Sequence, residues 1–279
     1  MRENFNRLFV AYKPTNMSSN RFLGQIKRKY NVKKAGFSGT LDPFAKGALI
    51  IAFGQYTKLF RFLKKKKKAY RATLWIGATS PTLDIEKVEK VEEVMPFAPD
   101  SIKIIADSMK GEIEYLPPKY CAKKVDGKRA YALAREDKEF ELNAIKSTIH
   151  DFKILHYMHP FLTFEITISE GGYIRSMGSI IASKLGFDGA LSSLERLNEG
   201  EFVYDNEKAL NPIDYIDIED NEYLGDIEDI ELGRKVFIDN FKIKQEGLYK
   251  IVHGDELSVL EIVDGNERVE YILNKVKLC

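Results

Sequence analysis

Between Gly36 and Phe53 the chain joins a glycine-flanked turn to a run of apolar residues. The turn reads Gly36-Phe37-Ser38-Gly39-Thr40-Leu41-Asp42-Pro43-Phe44-Ala45-Lys46-Gly47, and Ala48-Leu49-Ile50-Ile51-Ala52-Phe53 follows. Glycine tolerates positive φ or a close backbone approach, so Gly36 and Gly39 mark a tight loop. Pro43 fixes its own φ and keeps Asp42 out of the helical region. The apolar run predicts an interior strand. One carboxylate, Asp42, is thereby held in a rigid loop on a strand scaffold, a common way to present a reactive group. The plainer alternative is a turn in which Asp42 caps a helix or bonds its own backbone. Spacing alone leaves both open.

The chain of 279 residues suits one large domain, or one domain with a small module, and its apolar and charged fractions are those of a soluble globular protein. Two cysteines, Cys121 and Cys279, are too few for a disulfide framework and form no C-x-x-C, which fits a reducing compartment. The segment Met1-Arg2-Glu3-Asn4-Phe5-Asn6 has no signal-peptide apolar region. No apolar run approaches the roughly 20 residues that span a bilayer. The expectation is a cytoplasmic protein that does not enter a membrane.

Net charge is +1, but it is unevenly spread. From Met1 to Arg71 the only acids are Glu3 and Asp42, whereas Asp214 to Glu231 holds acids and no Lys or Arg. Basic clusters stand at Lys27-Arg28-Lys29, at Lys33-Lys34 and from Lys64 to Lys68. Any one of them reads as a solvated face. Three clusters around one candidate acid loop point to a polyanion such as nucleic acid. A membrane surface fits less well, because no amphipathic helix with an aromatic apolar face accompanies them. The acidic stretch reads as a solvated linker.

Leu8 to Tyr12 predicts a strand, and Ser18 or Ser19 caps a helix running to about Tyr30 with Phe22, Leu23 and Ile26 on one face. Thr57–Phe62 predicts a short helix, Tyr70–Gly77 a strand and Ser101–Met109 a helix. Residues 114–141 are polar and basic, contain Pro117-Pro118, and read as an extended insertion with a helix near Ala130 to Arg135. His150–Tyr157 and Leu162–Ser169 read as paired strands. Arg175–Leu185 reads as a helix with Met177, Ile180 and Ile181 inward and Gly186 at its end. Three short strands follow at Gly247–Val252, Glu256–Val263 and Val269–Ile272. The mixed order predicts an α+β fold: a mixed, largely antiparallel sheet flanked by helices.

The loop around Asp42 resembles the signature of the TruB-type tRNA pseudouridine synthases, G-x-x-G-x-L-D-P-x-A-x-G-x-L, through Gly36, Gly39, Leu41, Asp42, Pro43, Ala45, Gly47 and Leu49. Further segments share the resemblance. Lys13-Pro14-Thr15-Asn16-Met17-Ser18-Ser19 is similar to the family's K-P-x-x-x-S-S element, where Lys13 is either an RNA contact or part of a strand-to-helix scaffold. Lys68-Ala69-Tyr70-Arg71 is similar to K-x-Y-R, whose tyrosine lies against the target base in relatives. An aromatic face stacks on a base for roughly 1–3 kcal/mol. A core tyrosine on an alternating strand is the alternative. Gly171-Gly172-Tyr173-Ile174-Arg175 is similar to G-x-Y-I-R, whose arginine the family pairs with the catalytic aspartate. Such a guanidinium lowers a carboxylate's pKa and fixes its direction, so Asp42 is expected to stay ionised.

The insertion from Pro117 to Tyr131 is similar to the part that closes over RNA in relatives. It supplies Lys119, Tyr120, Lys123, Lys128 and Arg129 as RNA contacts, although Tyr120 and Tyr131 equally suit the insertion's own core. Thr79–Asp84 corresponds only loosely to a family segment. The family's histidine after the first loop glycine is Phe37 here. Phe37 can fill the space of a displaced nucleotide as an apolar wedge, without a polar contact. None of His150, His156, His159 and His253 lies in a matching segment, which argues against histidine acid–base chemistry.

The resemblance implies a pseudouridine synthase fold over residues 1–224, with the insertion at about 114–141, and a short PUA-like β module over 225–279. It implies isomerisation of a uridine in the tRNA T loop, at tRNA position 55, by base flipping. Asp42, Tyr70 and Arg175 would be catalytic, and Tyr173 would join Phe37, Lys13 and the insertion at the RNA. It also implies a monomer that binds the T arm, needing no cofactor, metal or obligate protein partner. Neither metal-ligand spacing nor a phosphate-cradling motif is present. A non-catalytic tRNA-folding protein on the same scaffold and a guide-dependent ribonucleoprotein subunit are alternatives. A glycoside hydrolase is a third, but it usually needs two carboxylates at defined separation.

Overall fold

The protein is described from a computed structural model covering residues 5–263 and 269–278; Glu3 and Cys279 lie outside the described residues. The chain begins with β1 (Arg7–Lys13), α1 (Ser19–Lys29), β2 (Ala35–Ser38), β3 (Lys46–Phe53) and β4 (Lys67–Ile76). The short β5 (Ala78–Thr79) and β6 (Lys90–Val91) lead to α2 (Pro99–Asp107) and β7 (Gly111–Tyr115). The insertion folds as a hairpin of β8 (Lys124–Val125) and β9 (Lys128–Arg129) with α3 (Ala130–Arg135). Then come β10 (Ile145–Met158), β11 (Phe161–Ser169), α4 (Ile174–Lys184), β12 (Gly189–Glu199) and β13 (Phe202–Val203). The chain ends in β14 (Glu219–Asp220), α5 (Ile227–Leu232), β15 (Gly247–His253), β16 (Glu256–Ile262) and β17 (Val269–Lys277).

The main sheet runs β1-β3-β12-β4-β11-β10-β7, with β2 on β3 and β13 on β12. Its pairings are antiparallel except where β12 meets β3, through Glu195↔Lys46 and Arg196↔Gly47. Gly47 is required there. Its φ is +115°, and a Cβ would stand 2.2 Å from the Arg196 carbonyl oxygen. The Asp42 loop emerges at this seam, between the end of β2 and the start of β3.

The apolar run in β3 is continuous because both of its faces are covered. Phe9, Ala11, Leu49, Ile51 and Phe53 pack under Phe22 and Ile26 of α1. Leu8, Val10, Ala48, Ile50 and Ala52 pack against Leu257, Val259 and Val276 of the C-terminal strands. On the far half of the sheet, Leu74, Phe164 and Leu191 lie beneath Met177 and Ile181 of α4 and Ile102 of α2. The C-terminal sheet, ordered β14-β15-β16-β17, buries its other face around Ile230, Phe241, Tyr249 and Leu260.

Some elements differ from the sequence expectation. The short helix after β3 is a 3-10 stretch over Gly54–Phe62, and α2 starts two residues earlier than expected, with proline at its first turn. The central strand β12 carries no clean alternation, because bulges between Leu191 and Ser193 and between Arg196 and Asn198 break the period. The acidic segment is no bare linker. Asp217 pairs with Lys66 at 2.6 Å, Asp220 with Lys250 at 3.0 Å, Glu222 with Lys242 at 2.9 Å and Asp229 with Arg234 at 3.2 Å. These are mostly exposed pairs, each contributing little stability.

Phe164 is fully buried and stacks on Phe152 at 5.0 Å between ring centres. Phe164→Ala is expected to cost about 3–5 kcal/mol. The denaturant midpoint should fall with the slope unchanged.

Candidate active site

The loop that carries Asp42 is tied down by residues from the first strand-to-helix connection. Ser18 caps α1, its hydroxyl accepting from Arg21 N at 3.2 Å. The Ser19 hydroxyl donates to the Leu41 carbonyl and accepts the Leu41 N–H, both at 3.0 Å. Lys13 is fully buried, and its Nζ donates to the carbonyls of Met17 at 2.6 Å, Pro14 at 2.8 Å and Pro43 at 3.5 Å. Its ammonium has no exposed surface and is spent on backbone carbonyls, the geometry of the strand-to-helix scaffold alternative. Burial pushes its pKa down to about 8, while Asp42 pulls it up. Gly39, at φ +65°, completes the loop, and a Cβ there would lie 2.6 Å from Glu199 Oε2. Gly36 keeps a negative φ, and what it provides is room beside the Phe60 ring.

Arg175 enters from the first turn of α4, where a cation opposes the helix dipole. Its guanidinium is 4% exposed and finds compensation in two carboxylates: Nε donates to Asp42 Oδ2 at 2.9 Å, and Nη1 lies 3.5 Å from Asp84 Oδ2. Nη1 also donates to the Thr82 carbonyl and Nη2 to the Tyr120 carbonyl, each at 2.8 Å. Asp84 is itself held by the Thr82 hydroxyl at 2.6 Å and the Glu86 N–H at 2.9 Å. Asp42 keeps 36% of its side-chain surface open, and its ion pair with Arg175 runs through Oδ2.

Asp42 and Arg175 line a cavity of about 270 Å³ with Gly39, Lys68, Tyr70, Cys121, Tyr173, Leu194 and Arg196. That is below the ~300–1,000 Å³ of a drug-sized pocket, and suits one flat ring. Tyr70 is 7% exposed on β4, cross-strand from Arg196, and burial raises its hydroxyl pKa. Tyr173 is half-buried, and its hydroxyl pKa is raised by burial and by contact with Cys121. Phe37 is not brought to the cavity; it packs beside Phe22 and Ile51 in the α1 cluster. In the insertion, Lys119, Lys128 and Arg129 are exposed and Lys123 is half-buried. The Tyr120 hydroxyl donates to the Ala134 carbonyl and accepts from Lys87, which binds it into the insertion's own packing.

The sequence reading passed over Leu194, Arg196 and Glu199, and it named Lys68 and Asp84 without giving either a role at the site. The i,i+3 spacing of Arg196 and Glu199 looks like a solvated helix pair, and only the bulged strand turns both inward. The net direction at Asp42 is also corrected. Protein packed around the carboxyl pushes its pKa above the ordinary 3.8, Arg175 pulls it down, and the Asp84 charge pushes it up again. Desolvation outweighs the ion pair. Among the described residues, no group of three or more His, Cys, Asp or Glu is arranged to hold a metal ion, and no helix is long and apolar enough to cross a membrane.

Residues 27–174 match the TruB family pseudouridylate synthase (N terminal domain). The chain is 54% identical to a tRNA pseudouridine synthase B of a Sulfurovum species over 271 residues, 97% of each chain. It is 48% identical to the protein of that name from Campylobacter jejuni over 274 residues, 98% of this chain and 100% of the relative. Among solved structures it is similar in fold to a chain of an H/ACA ribonucleoprotein bound to a substrate RNA, with TM-score 0.64 and 17% identity, covering 98% of this chain and 84% of that one. A chain of a Cbf5–Nop10–Gar1 complex aligns with TM-score 0.56 and 24% identity, covering 72% of this chain and 51% of that one.

Two outcomes are expected from this geometry. The Asp42 carboxyl, followed by carbon NMR, should protonate with a midpoint above 3.8, and Asp84→Asn should lower that midpoint by removing a like charge. Gly39→Ala should lose about 1–3 kcal/mol through a strained left-handed alanine, more where the Cβ displaces Glu199. Chemical denaturation measures it.

Proposed function

The chain belongs to the TruB family of pseudouridylate synthases, and from that premise we propose that it isomerises a uridine of tRNA to pseudouridine in the T loop, at tRNA position 55. The observation that carries this reading is the Asp42 carboxylate, held by Arg175 through one oxygen beside the Tyr70 ring in a cavity of single-ring size.

The reaction breaks the glycosidic bond between ribose C1′ and N1, turns the uracil, and joins C1′ to C5. The C5 proton leaves and N1 gains one, so the product is an isomer and no electrons are exchanged. A stacked base is out of reach, so the nucleotide must first be extruded. Tyr70 and Leu194 offer the detached ring two apolar walls that keep it in place. With Oδ2 engaged by Arg175, Oδ1 of Asp42 is the atom that serves at the sugar, at the base or in proton removal. The fixed guanidinium stabilises the charge on Asp42 without reorganising during the reaction.

Lys119, Lys128 and Arg129 stand exposed on an insertion anchored to the cavity through the Tyr120 carbonyl. They are suited to phosphates flanking the extruded nucleotide. In this reading the protein acts on the T arm alone, without a guide RNA or obligate protein partner.

The test is pseudouridine mapping of a bare tRNA transcript after incubation with wild type and with Asp42→Asn. Modification confined to the T-loop uridine, by wild type only, is expected. Tight binding by both proteins with modification by neither would overturn the reading in favour of a tRNA-folding protein or a guide-dependent enzyme.

A further inference from the structure

Beneath the cavity lies a second group of buried charges outside the Asp42–Arg175–Asp84 set. Arg196 and Glu199 of β12 are both 0% exposed, Lys68 of β4 is 8% exposed and Ser38 of β2 is 5% exposed. Glu199 Oε1 lies 3.2 Å from Lys68 Nζ and accepts from the Ser38 hydroxyl at 3.3 Å. Glu199 Oε2 lies 3.3 Å from Arg196 Nη2. The good hydrogen bonds of Arg196 go elsewhere: Nε donates to the Ala48 carbonyl and Nη2 to the Gly39 carbonyl, both at 2.8 Å. Arg196 Nη1 and Glu199 Oε2 are buried with no hydrogen bond of their own.

Such a group is a poor way to stabilise a fold. Desolvating two cations and one anion costs several kcal/mol, and apolar side chains of similar volume usually serve as well. What it does supply is placement. Arg196 grips the carbonyl of Gly39, three residues before Asp42, and also that of Ala48, the third residue of the strand that follows Pro43. It faces Tyr70 directly across the β12–β4 pairing. Gly39 packs so tightly on Glu199 that no side chain fits between them. Lys68 and Arg196 reach the cavity wall, whereas Glu199 does not line it. Glu199 therefore touches no substrate and can act only through its neighbours.

We infer that Glu199 is a positioning residue: by compensating Arg196 and Lys68 it lets Arg196 hold the Gly39–Asp42 turn and the Tyr70 ring in the geometry the reaction requires. This rests on the isomerase reading above.

The test is Glu199→Gln, nearly equal in shape but uncharged, in single-turnover reactions on the tRNA transcript and in amide hydrogen exchange of the intact protein. The expected result is a rate constant lowered roughly tenfold to 10²-fold, the effect of a small misplacement of reacting groups. tRNA affinity should be unchanged, and exchange at residues 39–42 faster. Ser38→Ala removes one hydrogen bond from the same carboxylate and one from Lys65, whose ammonium keeps Glu170 at 3.8 Å, so it covers the case in which Glu199→Gln folds poorly. It should give a smaller loss of the same kind. A rate loss no larger than the loss of folded protein, or exchange at residues 39–42 that matches wild type, overturns the inference. Wild type that leaves the transcript unmodified defeats the isomerase reading instead, and exchange at residues 39–42 still decides the positioning role.

Discussion

A guanidinium removed from water must place its N–H groups on protein acceptors, because each one left bare costs about 1–3 kcal/mol or more. Arg175 meets that demand only where four segments converge. The Asp42 loop supplies a carboxylate, the turn at 82–84 a carbonyl and a second carboxylate, the insertion the Tyr120 carbonyl, and α4 the side chain itself. The cavity is therefore closed by the same bonds that orient its acid. The basic insertion is fixed to the chemistry by a backbone contact that does not depend on its surface side chains.

The cavity's surroundings are crowded with charge. Lys13, Lys68, Arg175 and Arg196 face Asp42, Asp84 and Glu199, and most of these are nearly fully buried. An arrangement like this is held only if the surrounding fold over-determines it, and here two half-sheets meet at the seam of β3 and β12 to do so. The reward is a site whose dipoles and charges are already set before a substrate arrives. The raised pKa of Asp42 has the same origin: the site tolerates a partly desolvated carboxylate and uses Arg175 to limit the cost.

Charge runs that look alike in the sequence separate in space. Within the lysine run, Lys68 turns inward to Glu199, Lys65 bonds the Ser38 hydroxyl, and Lys66 answers Asp217 from the acidic segment. Arg28, Lys33 and Lys34 stay exposed beside α1 and remain available to a polyanion. The C-terminal sheet matters to the site mainly through packing. Its Leu257, Val259 and Val276 cover the face of β1 and β3 opposite α1, which keeps β3 rigid where the Asp42 loop is anchored.

By itself the sequence determined the strong local patterns. The strands at β1, β3, β4 and β11 and the helices α1, α3 and α4 were legible, because apolar period, caps and turn glycines act over a few residues. The Asp42 loop and its arginine partner were singled out through a family pattern, and the structure places the two side chains 2.9 Å apart. What only the tertiary structure decided is which charges are turned inward. A bulge put Arg196 and Glu199 on the same inward face, a strand end buried Lys13, and a distant turn brought Asp84 to Arg175. Sequence spacing carries no record of these choices. The direction of a side chain depends on the pairing of strands far apart in the chain, and the pKa of a carboxyl depends on how much protein that pairing gathers around it.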